Sequence, residues 1–247
     1  MPENKVSIIT VCYNAEKWIE QTIQSVINQT FTNKEFVIID GGSSDSTIEK
    51  ITNYKTKISF LLSEKDNSIY DAMNKGIKNS TGEWLIFLNA GDTFADCTIL
   101  EKIFLNNNLK DKYFIYSPFF ACGSNGNTKI IYPKKELKYQ NLINNQIICH
   151  QTVLINRKYV KPYNLEYKLR ADYDWIINLV KNVEAHQIFF YPKPTINYLL
   201  GGKSNKLIIR DIYETTSIAI SHFGIIALLF NLPQISKKII KFILKRS

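Results

Sequence analysis

The chain has 247 residues, 45% hydrophobic and 21% charged, which is typical of a soluble globular protein and excludes a disordered one. Its four cysteines are scattered and form no Cys-x-x-Cys pair, so reduced thiols are favoured over a disulfide or zinc framework. The net charge of +9 suits a nucleic acid, but the basic residues form no recognised motif with aromatics, so no nucleic-acid partner is expected.

Apolar runs alternate with helical patterns through the N-terminal part of the chain. Strands are predicted at residues 6–11, 36–39, 58–62 and 83–88, and helices at 15–28, 43–54 and 69–79. Strand–helix alternation at this spacing predicts parallel strands joined by right-handed crossovers. The predicted fold class is therefore α/β, with a mostly parallel, Rossmann-like sheet flanked by helices.

Each of these strands is followed closely by a polar residue. The four residues at these strand ends are Asn14, Asp40, Asp66 and Asp92, the last in the turn Asn89-Ala90-Gly91-Asp92. Any one of them could be an ordinary turn former or helix cap. Because ligands of parallel sheets bind outside the carboxyl ends of the strands, we expect all four to face one crevice.

The second half of the chain is less regular. Helices are predicted at residues 101–109 and 173–183, and extended segments at 114–120, 130–132, 153–155 and 188–191. We expect one domain over residues 1–206 and a C-terminal helical extension over 207–247.

Two phosphate-binding motifs can be rejected. A dinucleotide-binding loop would place Gly-x-Gly-x-x-Gly after the first strand, where this chain has Cys12-Tyr13-Asn14-Ala15. The segment Gly201-Gly202-Lys203-Ser204 resembles the end of a P-loop, but Asn197 stands where the first glycine belongs.

Four segments together resemble a known family. They are SIITVCYN at residues 7–14, IDGGSSDST at 39–47, IYDAMNKGI at 69–77 and LNAGD at 88–92. In this order and spacing the chain resembles a family 2 glycosyltransferase with the GT-A fold. A weaker match continues through residues 150–151, 170–175 and 201–204.

The resemblance implies an inverting hexosyl- or N-acetylhexosaminyltransferase. Such an enzyme moves a sugar from a nucleotide diphosphate, with uracil the common base in the family, to an acceptor hydroxyl. It implies a nucleotide-binding half over about residues 1–100 and an acceptor half over about 101–206. The donor-binding residues implied are Tyr13, Asn14, Asp40, Asp66, Asn74, Lys75, Asn89 and Lys203.

Two lysines in this set have simpler alternative interpretations. Lys75 could lie on a solvated helix face. Lys203 belongs to Gly201-Gly202-Lys203-Ser204, which the resemblance implies is a mobile loop that closes over the diphosphate, and which could otherwise be a tight turn.

By the same resemblance, Asp92 matches the last aspartate of the family's metal motif and would bind Mg²⁺ or Mn²⁺. The chain departs from the common pattern, because Asn89 and Gly91 replace two carboxylates of that motif and Gly41 replaces another common aspartate. With a single anionic ligand, metal is expected to bind well only together with the nucleotide.

Asp172 matches the family's general base, which takes the proton of the acceptor hydroxyl. Asp172 could alternatively cap the following helix, and Asp174 competes for the catalytic role. His150 and Gln151 are weaker candidates for contact with the donor sugar or the acceptor.

The C-terminal segment has two open interpretations. Residues 218–232 are largely apolar but shorter than the roughly 20 residues that span a membrane, and Pro233 is expected to break the helix. Lysines then alternate with apolar residues to the C-terminus, as in helices that bind an anionic membrane surface, or in a helix packed on the domain.

No signal peptide is visible at Met1-Pro2-Glu3-Asn4-Lys5, so a cytoplasmic protein is expected, with or without peripheral binding to the inner face of the plasma membrane. A membrane-bound form would suit a lipid-linked saccharide acceptor, as in bacterial surface polysaccharide biosynthesis. Two rival functions are a nucleotidyltransferase of similar fold and a non-catalytic nucleotide-sugar-binding or scaffold protein.

Overall fold

The computed structural model describes residues 4–123, 126–144, 148–201 and 207–244. Its strands are β1 (Val6–Cys12), β2 (Lys34–Asp40), β3 (Phe60–Ser63), β4 (Trp84–Phe87), β5 (Thr93–Phe94), β6 (Phe114–Tyr116), β7 (Phe119–Cys122), β8 (Thr128–Ile131), β9 (Leu154–Asn156), β10 (Ile188–Phe190) and β11 (Ile196–Leu199). Its α-helices are α1 (Ile19–Ile27), α2 (Thr47–Thr52), α3 (Ile69–Lys78), α4 (Ile99–Phe104), α5 (Ala171–Asn182), α6 (Ile208–Phe223) and α7 (Ala227–Leu244).

The main sheet has the strand order β10-β6-β9-β4-β1-β2-β3. Strands β3, β2, β1 and β4 are parallel neighbours, whereas β9 runs antiparallel between β4 and β6. Every residue of β1 is buried, as expected for a strand with packing on both faces of a parallel sheet. The predicted parallel arrangement of the first four strands is therefore confirmed, and their carboxyl ends share one edge.

A second sheet has the strand order β5-β11-β7-β8. The turn that follows β4 connects this sheet to the carboxyl edge of the main sheet. Strand β5 begins at Thr93, directly after the turn at residues 89–92, and pairs with β11. This pairing brings Leu199 on β11 against that turn. Neither β5 nor β11 is predicted by the apolar pattern of the sequence.

Helix α3 packs very closely against the centre of the main sheet. Ser68 caps it by accepting a hydrogen bond from the Asp71 amide at 3.2 Å. At Gly76 an added Cβ would lie 2.3 Å from Cγ2 of the buried Ile9 on β1. The absence of a side chain at Gly76 thus sets the distance between α3 and β1.

Several predicted boundaries differ from the structure. Helix α1 begins at Ile19 instead of Ala15, because the Ala15 amide donates to the Thr47 hydroxyl, 2.8 Å away, in a turn. Helix α4 ends at Phe104, before the predicted residue 109. The predicted extended segment 114–120 is two strands, since Pro118 lies between them and has no amide to donate.

The apolar segment 218–232 is divided at Gly224, where φ is +74° and α6 ends. Pro233 lies inside α7, so the expected break at that residue is wrong. Asn231 holds this part of α7 in place by donating to the Ile143 carbonyl oxygen at 2.9 Å, which helps to offset the bond lost at the proline. Among the residues described, no helix is long and apolar enough to cross a membrane.

Candidate functional site

The crevice begins at the end of β1. Asn14 has a φ of +47°, a conformation that asparagine tolerates better than most residues. Its amide donates to the Ser43 hydroxyl at 2.8 Å, and its side-chain oxygen accepts from the Ser44 amide at 2.9 Å. Asn14 therefore ties the end of β1 to the loop that follows β2.

Asp40 is fully buried at the end of β2. One carboxylate oxygen accepts from the amides of Gly42 and Ser43, at 3.0 and 2.9 Å, and from the Ser63 hydroxyl at 2.8 Å. In the described structure the Asp40 carboxylate therefore holds the loop after β2 in place by accepting hydrogen bonds from its backbone amides.

Gly41 is packed between two predicted donor-binding residues, with no room for a side chain. A Cβ at this position would lie 2.9 Å from Oδ2 of Asp66 and 3.5 Å from Cδ2 of Tyr13. The Tyr13 side chain is 55% exposed, so an aromatic face remains available at the edge of the sheet. Glycine at this position lets Asp66 and Tyr13 lie close to the backbone at the end of β2.

Lys75 lies within a cluster of carboxylates. Its Nζ is 2.5 Å from Asp66 Oδ1 and 2.8 Å from Glu64 Oε1, so it does not point from a solvated helix face. Although its partial burial acts in the opposite direction, Asp66 and Glu64 raise the pKa of Lys75 above its usual range. Burial raises the pKa of Asp66 in spite of the lysine.

Asn74 makes a closed pair of hydrogen bonds with the backbone of Tyr163. Its amide nitrogen donates to the Tyr163 carbonyl oxygen at 3.0 Å, and its oxygen accepts from the Tyr163 amide at 2.7 Å. The side chain therefore anchors the segment before α5 to α3, and the structure does not direct it toward a sugar.

Asp92 is 4% exposed and has a partner at each carboxylate oxygen. Oδ1 accepts from the Leu199 amide at 2.8 Å, and Oδ2 accepts from the side-chain amide of Gln151 at 2.7 Å. Burial raises the pKa of Asp92 to about 7 against the effect of these hydrogen bonds and of His150. Gln151 also accepts from the Cys149 thiol at 2.8 Å, so both ends of its amide are used.

The turn around Asp92 has a limited set of metal ligands. Within the described ranges there is no group of three or more His, Cys, Asp or Glu side chains that could hold a metal ion. The side-chain oxygen of Asn89 is buried and has no hydrogen-bond partner among the residues described. One carboxylate and one available amide oxygen fit a Mg²⁺ or Mn²⁺ ion that takes its other ligands from a diphosphate and water.

Asp172 is the second residue of α5, and Arg170 occupies the N-cap position. Its Oδ1 lies 3.2 Å from the Tyr70 hydroxyl and its Oδ2 lies 3.6 Å from Nδ1 of His150. Burial acts to raise its pKa, but His150 and Arg170 outweigh burial and hold the pKa below its usual range. The side chain is 27% exposed, so the ionised carboxylate can accept a proton from a bound ligand.

Asp174 points away from this group. Its Oδ1 lies 2.7 Å from Nε2 of His222 on α6, and its Oδ2 accepts from Asn178 at 3.2 Å. The side chains of the two candidate bases therefore point in different directions. Asp172 points toward His150, and Asp174 points toward His222 on α6.

His150 packs edge-on against the rings of Phe87 and Tyr163. Its Nε2 is buried, with no hydrogen-bond partner in the described part of the chain. Since His150 approaches Asp172 and Gln151 binds Asp92, two consecutive residues connect the two carboxylates. Tyr70 completes this group, and only its place in the segment 69–77 could have identified it from the sequence.

Lys203, another predicted donor-binding residue, lies outside the described residues.

The sequence profile of the family described as "Glycosyl transferase family 2" matches residues 7–163, which is more than half of the chain. The matched region includes Asp92 and His150 but ends before Asp172. An Escherichia coli protein described as "UDP-Glc:alpha-D-GlcNAc-diphosphoundecaprenol beta-1,3-glucosyltransferase WfgD" is 29% identical over 186 residues, covering 74% of this chain and 72% of WfgD.

Two solved structures share the fold. Residues 1–349 of S. aureus TarS in complex with UDP give a TM-score of 0.70 at 19% identity, covering 88% of this chain and 65% of that chain, less than two thirds of it. Glucosyl-3-phosphoglycerate synthase from Mycobacterium tuberculosis, in complex with Mn²⁺, UDP and glucosyl-3-phosphoglycerate, gives 0.64 at 13% identity, covering 90% and 81%.

Proposed function

Because this chain belongs to glycosyl transferase family 2, we propose that it is an inverting hexosyl- or N-acetylhexosaminyltransferase that uses a nucleotide-diphosphate sugar. The similarity to TarS and to the mycobacterial synthase confirms the predicted GT-A fold. One observation carries the proposal: His150 and Gln151 connect a partly exposed, ionised Asp172 to the buried Asp92. An acceptor base and a donor-binding turn are then neighbours, as a transfer reaction requires.

In the proposed reaction, Asp172 accepts the proton of the acceptor hydroxyl. The hydroxyl oxygen forms a bond to the anomeric carbon as the bond from that carbon to the diphosphate oxygen breaks, which inverts the configuration. Asp92 and Asn89 would hold a Mg²⁺ or Mn²⁺ ion, whose charge offsets that of the departing diphosphate. Tyr70 and His150 orient the base through their contacts with its carboxylate.

For the donor, we propose a UDP-sugar, since TarS and the mycobacterial synthase were both solved with UDP. The base and ribose would lie against the exposed ring of Tyr13 and near Asp66, in the space at the edge where β1 and β3 end. Asn14 and Asp40 hold the loops around that space, and Asn74 and Lys75 hold α3 beside it. Lys203 is proposed to close over the diphosphate.

Calorimetry with UDP, with and without Mn²⁺, and a transfer screen with nucleotide sugars test this function. We expect UDP affinity to rise with Mn²⁺, because Asp92 is the main anionic ligand that the turn supplies. Asp172→Asn should abolish transfer and retain UDP binding. A wild-type chain without metal-dependent UDP binding would contradict the proposal and favour the scaffold alternative.

For the acceptor, we propose a lipid-linked saccharide, reached by a protein bound to the inner face of the plasma membrane. WfgD is named for an acceptor on diphosphoundecaprenol. In this chain, large apolar side chains on α6, α7 and the turn between them are exposed, among them Ile209 (77%), Tyr213 (70%), Ile225 (77%) and Leu229 (67%). The sequence that follows is rich in lysine, which complements anionic lipids.

Flotation with vesicles separates membrane binding from simple exposure. We expect the full chain to float with anionic phosphatidylglycerol vesicles and to do so less in high salt or with phosphatidylcholine. The double variant Ile225→Ser/Leu229→Ser should float less. Leu105→Ser removes an equally exposed leucine (66%) at the end of α4 and serves as the control. A wild-type chain that does not float would contradict the membrane proposal, and equal flotation of all three chains would contradict the role given to Ile225 and Leu229.

A further inference from the structure

Glu214 of α6 is almost completely buried, at 2% exposure, and its carboxylate faces a turn of backbone. Oε1 accepts from the Lys168 amide at 3.0 Å, and Oε2 accepts from the amides of Leu169 and Arg170 at 2.8 and 3.0 Å. Three consecutive amides thus converge on one carboxylate. Such an arrangement holds a backbone segment in a single conformation, because losing the carboxylate leaves three backbone donors without their acceptor.

The segment that Glu214 binds leads directly into the proposed base. Arg170 is the N-cap of α5, and Asp172 follows two residues later. On the other side of the segment, the Tyr70 hydroxyl lies 2.9 Å from the Leu169 carbonyl oxygen and 3.2 Å from Asp172 Oδ1. The residues before Asp172 are therefore held between α3 and α6.

A second carboxylate on α6 acts on the same segment. Asp211, 8% exposed and one turn before Glu214, forms an ion pair with the Arg170 guanidinium. Arg210 also pairs with Glu214, at 3.0 Å, but its side chain is 53% exposed and that pair is open to solvent. The buried acidic face of α6 is thus directed at the backbone and side chain that precede α5.

We infer that Glu214 is a positioning residue for the transfer reaction, acting through the backbone of residues 168–170 to hold Asp172 in line with the acceptor. This inference rests on the proposed role of Asp172 as the base. Because Glu214 is buried and both its oxygens bind backbone amides, its loss is expected to affect the chemical step and to leave donor binding intact. Nothing in the sequence pattern marks Glu214, which is 44 residues from the amide of Arg170.

Glu214→Gln tests the inference in the full chain. The substitution keeps the size of the side chain but replaces one acceptor oxygen with a donor that faces backbone amides. We expect kcat to fall about a hundredfold, as for a displacement of about 1 Å in a reacting group, with KM for the nucleotide sugar and the affinity for UDP unchanged. Arg210→Gln removes the exposed partner of Glu214 and should keep the wild-type kcat.

Asp211→Asn provides a second variant if Glu214→Gln fails to fold. It removes the ion pair with Arg170 and leaves all three backbone bonds, so a smaller loss of kcat with unchanged KM is expected. Wild-type kcat in the folded Glu214→Gln variant, or in Asp211→Asn when the former is unfolded, would overturn the inference. The proposed function fails separately, if the wild type transfers no sugar. If Asp172→Asn keeps its activity, the base lies elsewhere, and the inference about Glu214 falls while the transferase proposal stands.

Discussion

Asp92 and Asp172 are both aspartates of the same site, but their surroundings move their pKa values in opposite directions. Asp92 is enclosed by Leu199 and Gln151, and burial raises its pKa to about 7. For Asp172, the opposing effect of burial is outweighed by His150 and Arg170, and its pKa stays below the usual range. The carboxylate proposed to accept a proton is thus ionised at neutral pH, as general base catalysis requires.

Replacing one carboxylate oxygen with an amide nitrogen distinguishes the roles of Asp172 and Asp174, the two acidic residues in the first turn of α5. Asp172→Asn should lower kcat by between about 100-fold and 10,000-fold without changing the melting temperature by much. Asp174→Asn, the matched control, weakens the contact with His222 and should lower the melting temperature while most of kcat remains. Steady-state kinetics and thermal unfolding of both variants check this, and the opposite pattern would make Asp174 the base.

The raised pKa of Asp92 predicts how stability depends on pH. Because the folded chain holds this proton up to about pH 7 and the unfolded chain releases it near pH 4, folding is favoured at low pH and the advantage is lost as pH rises to 7. The cost of ionising the buried group is on the order of 4 kcal/mol.

Urea unfolding of the metal-free wild type and of Asp92→Asn at pH 5, 6, 7 and 8 measures this effect. We expect the free energy of unfolding of the wild type to fall relative to that of the variant across this range. Other groups titrate equally in both chains, so the difference isolates Asp92. If the difference between the two free energies of unfolding stays constant from pH 5 to pH 8, the Asp92 carboxylate is ionised over that whole range and is not desolvated.

At the scale of elements, the contact between α3 and β1 is the tightest place near the site. Gly76→Ala should destabilise the protein by about 1 to 3 kcal/mol, because the new methyl group overlaps Ile9 and must push α3 outward. Lys78→Ala, on the exposed side of the same helix, is the control for helix propensity. Thermal unfolding compares the two, and an unchanged melting temperature for Gly76→Ala would show that α3 moves freely.

The elements that the sequence predicted well are those whose apolar pattern is local. Strands β1, β2 and β4 are continuous apolar runs buried on both faces, and α3 has a capping serine and a clear helical face. Short strands such as β5 and β11 lack such a pattern, because they form by pairing with distant strands, β5 with β11 and β11 with both β5 and β7. At Pro233 the local sequence predicts a helix end that the structure does not have, because tertiary contacts keep α7 helical across a residue that usually ends a helix.

For the whole molecule, topology explains which parts of the site were predictable. Parallel strands bring their carboxyl ends to one edge, so the placement of Asn14, Asp40, Asp66 and Asp92 follows from the order of strands alone. The directions of these side chains do not follow, and Asp40 proves to face inward. The partners of Asp172 are as distant as Tyr70, 102 residues away, and no local pattern reveals such a contact.

The contact between Glu214 and the backbone at residues 168–170 has a consequence for the order of synthesis. Glu214 leaves the ribosome after every strand of both sheets, so a nascent chain can complete its donor crevice before the base segment has its anchor. A translation product shortened before α6 would then bind the nucleotide without transferring the sugar. On the proposed roles of Asp172 and Glu214, such fragments would compete with the intact chain for donor, and the last helices would determine whether a bound sugar is transferred.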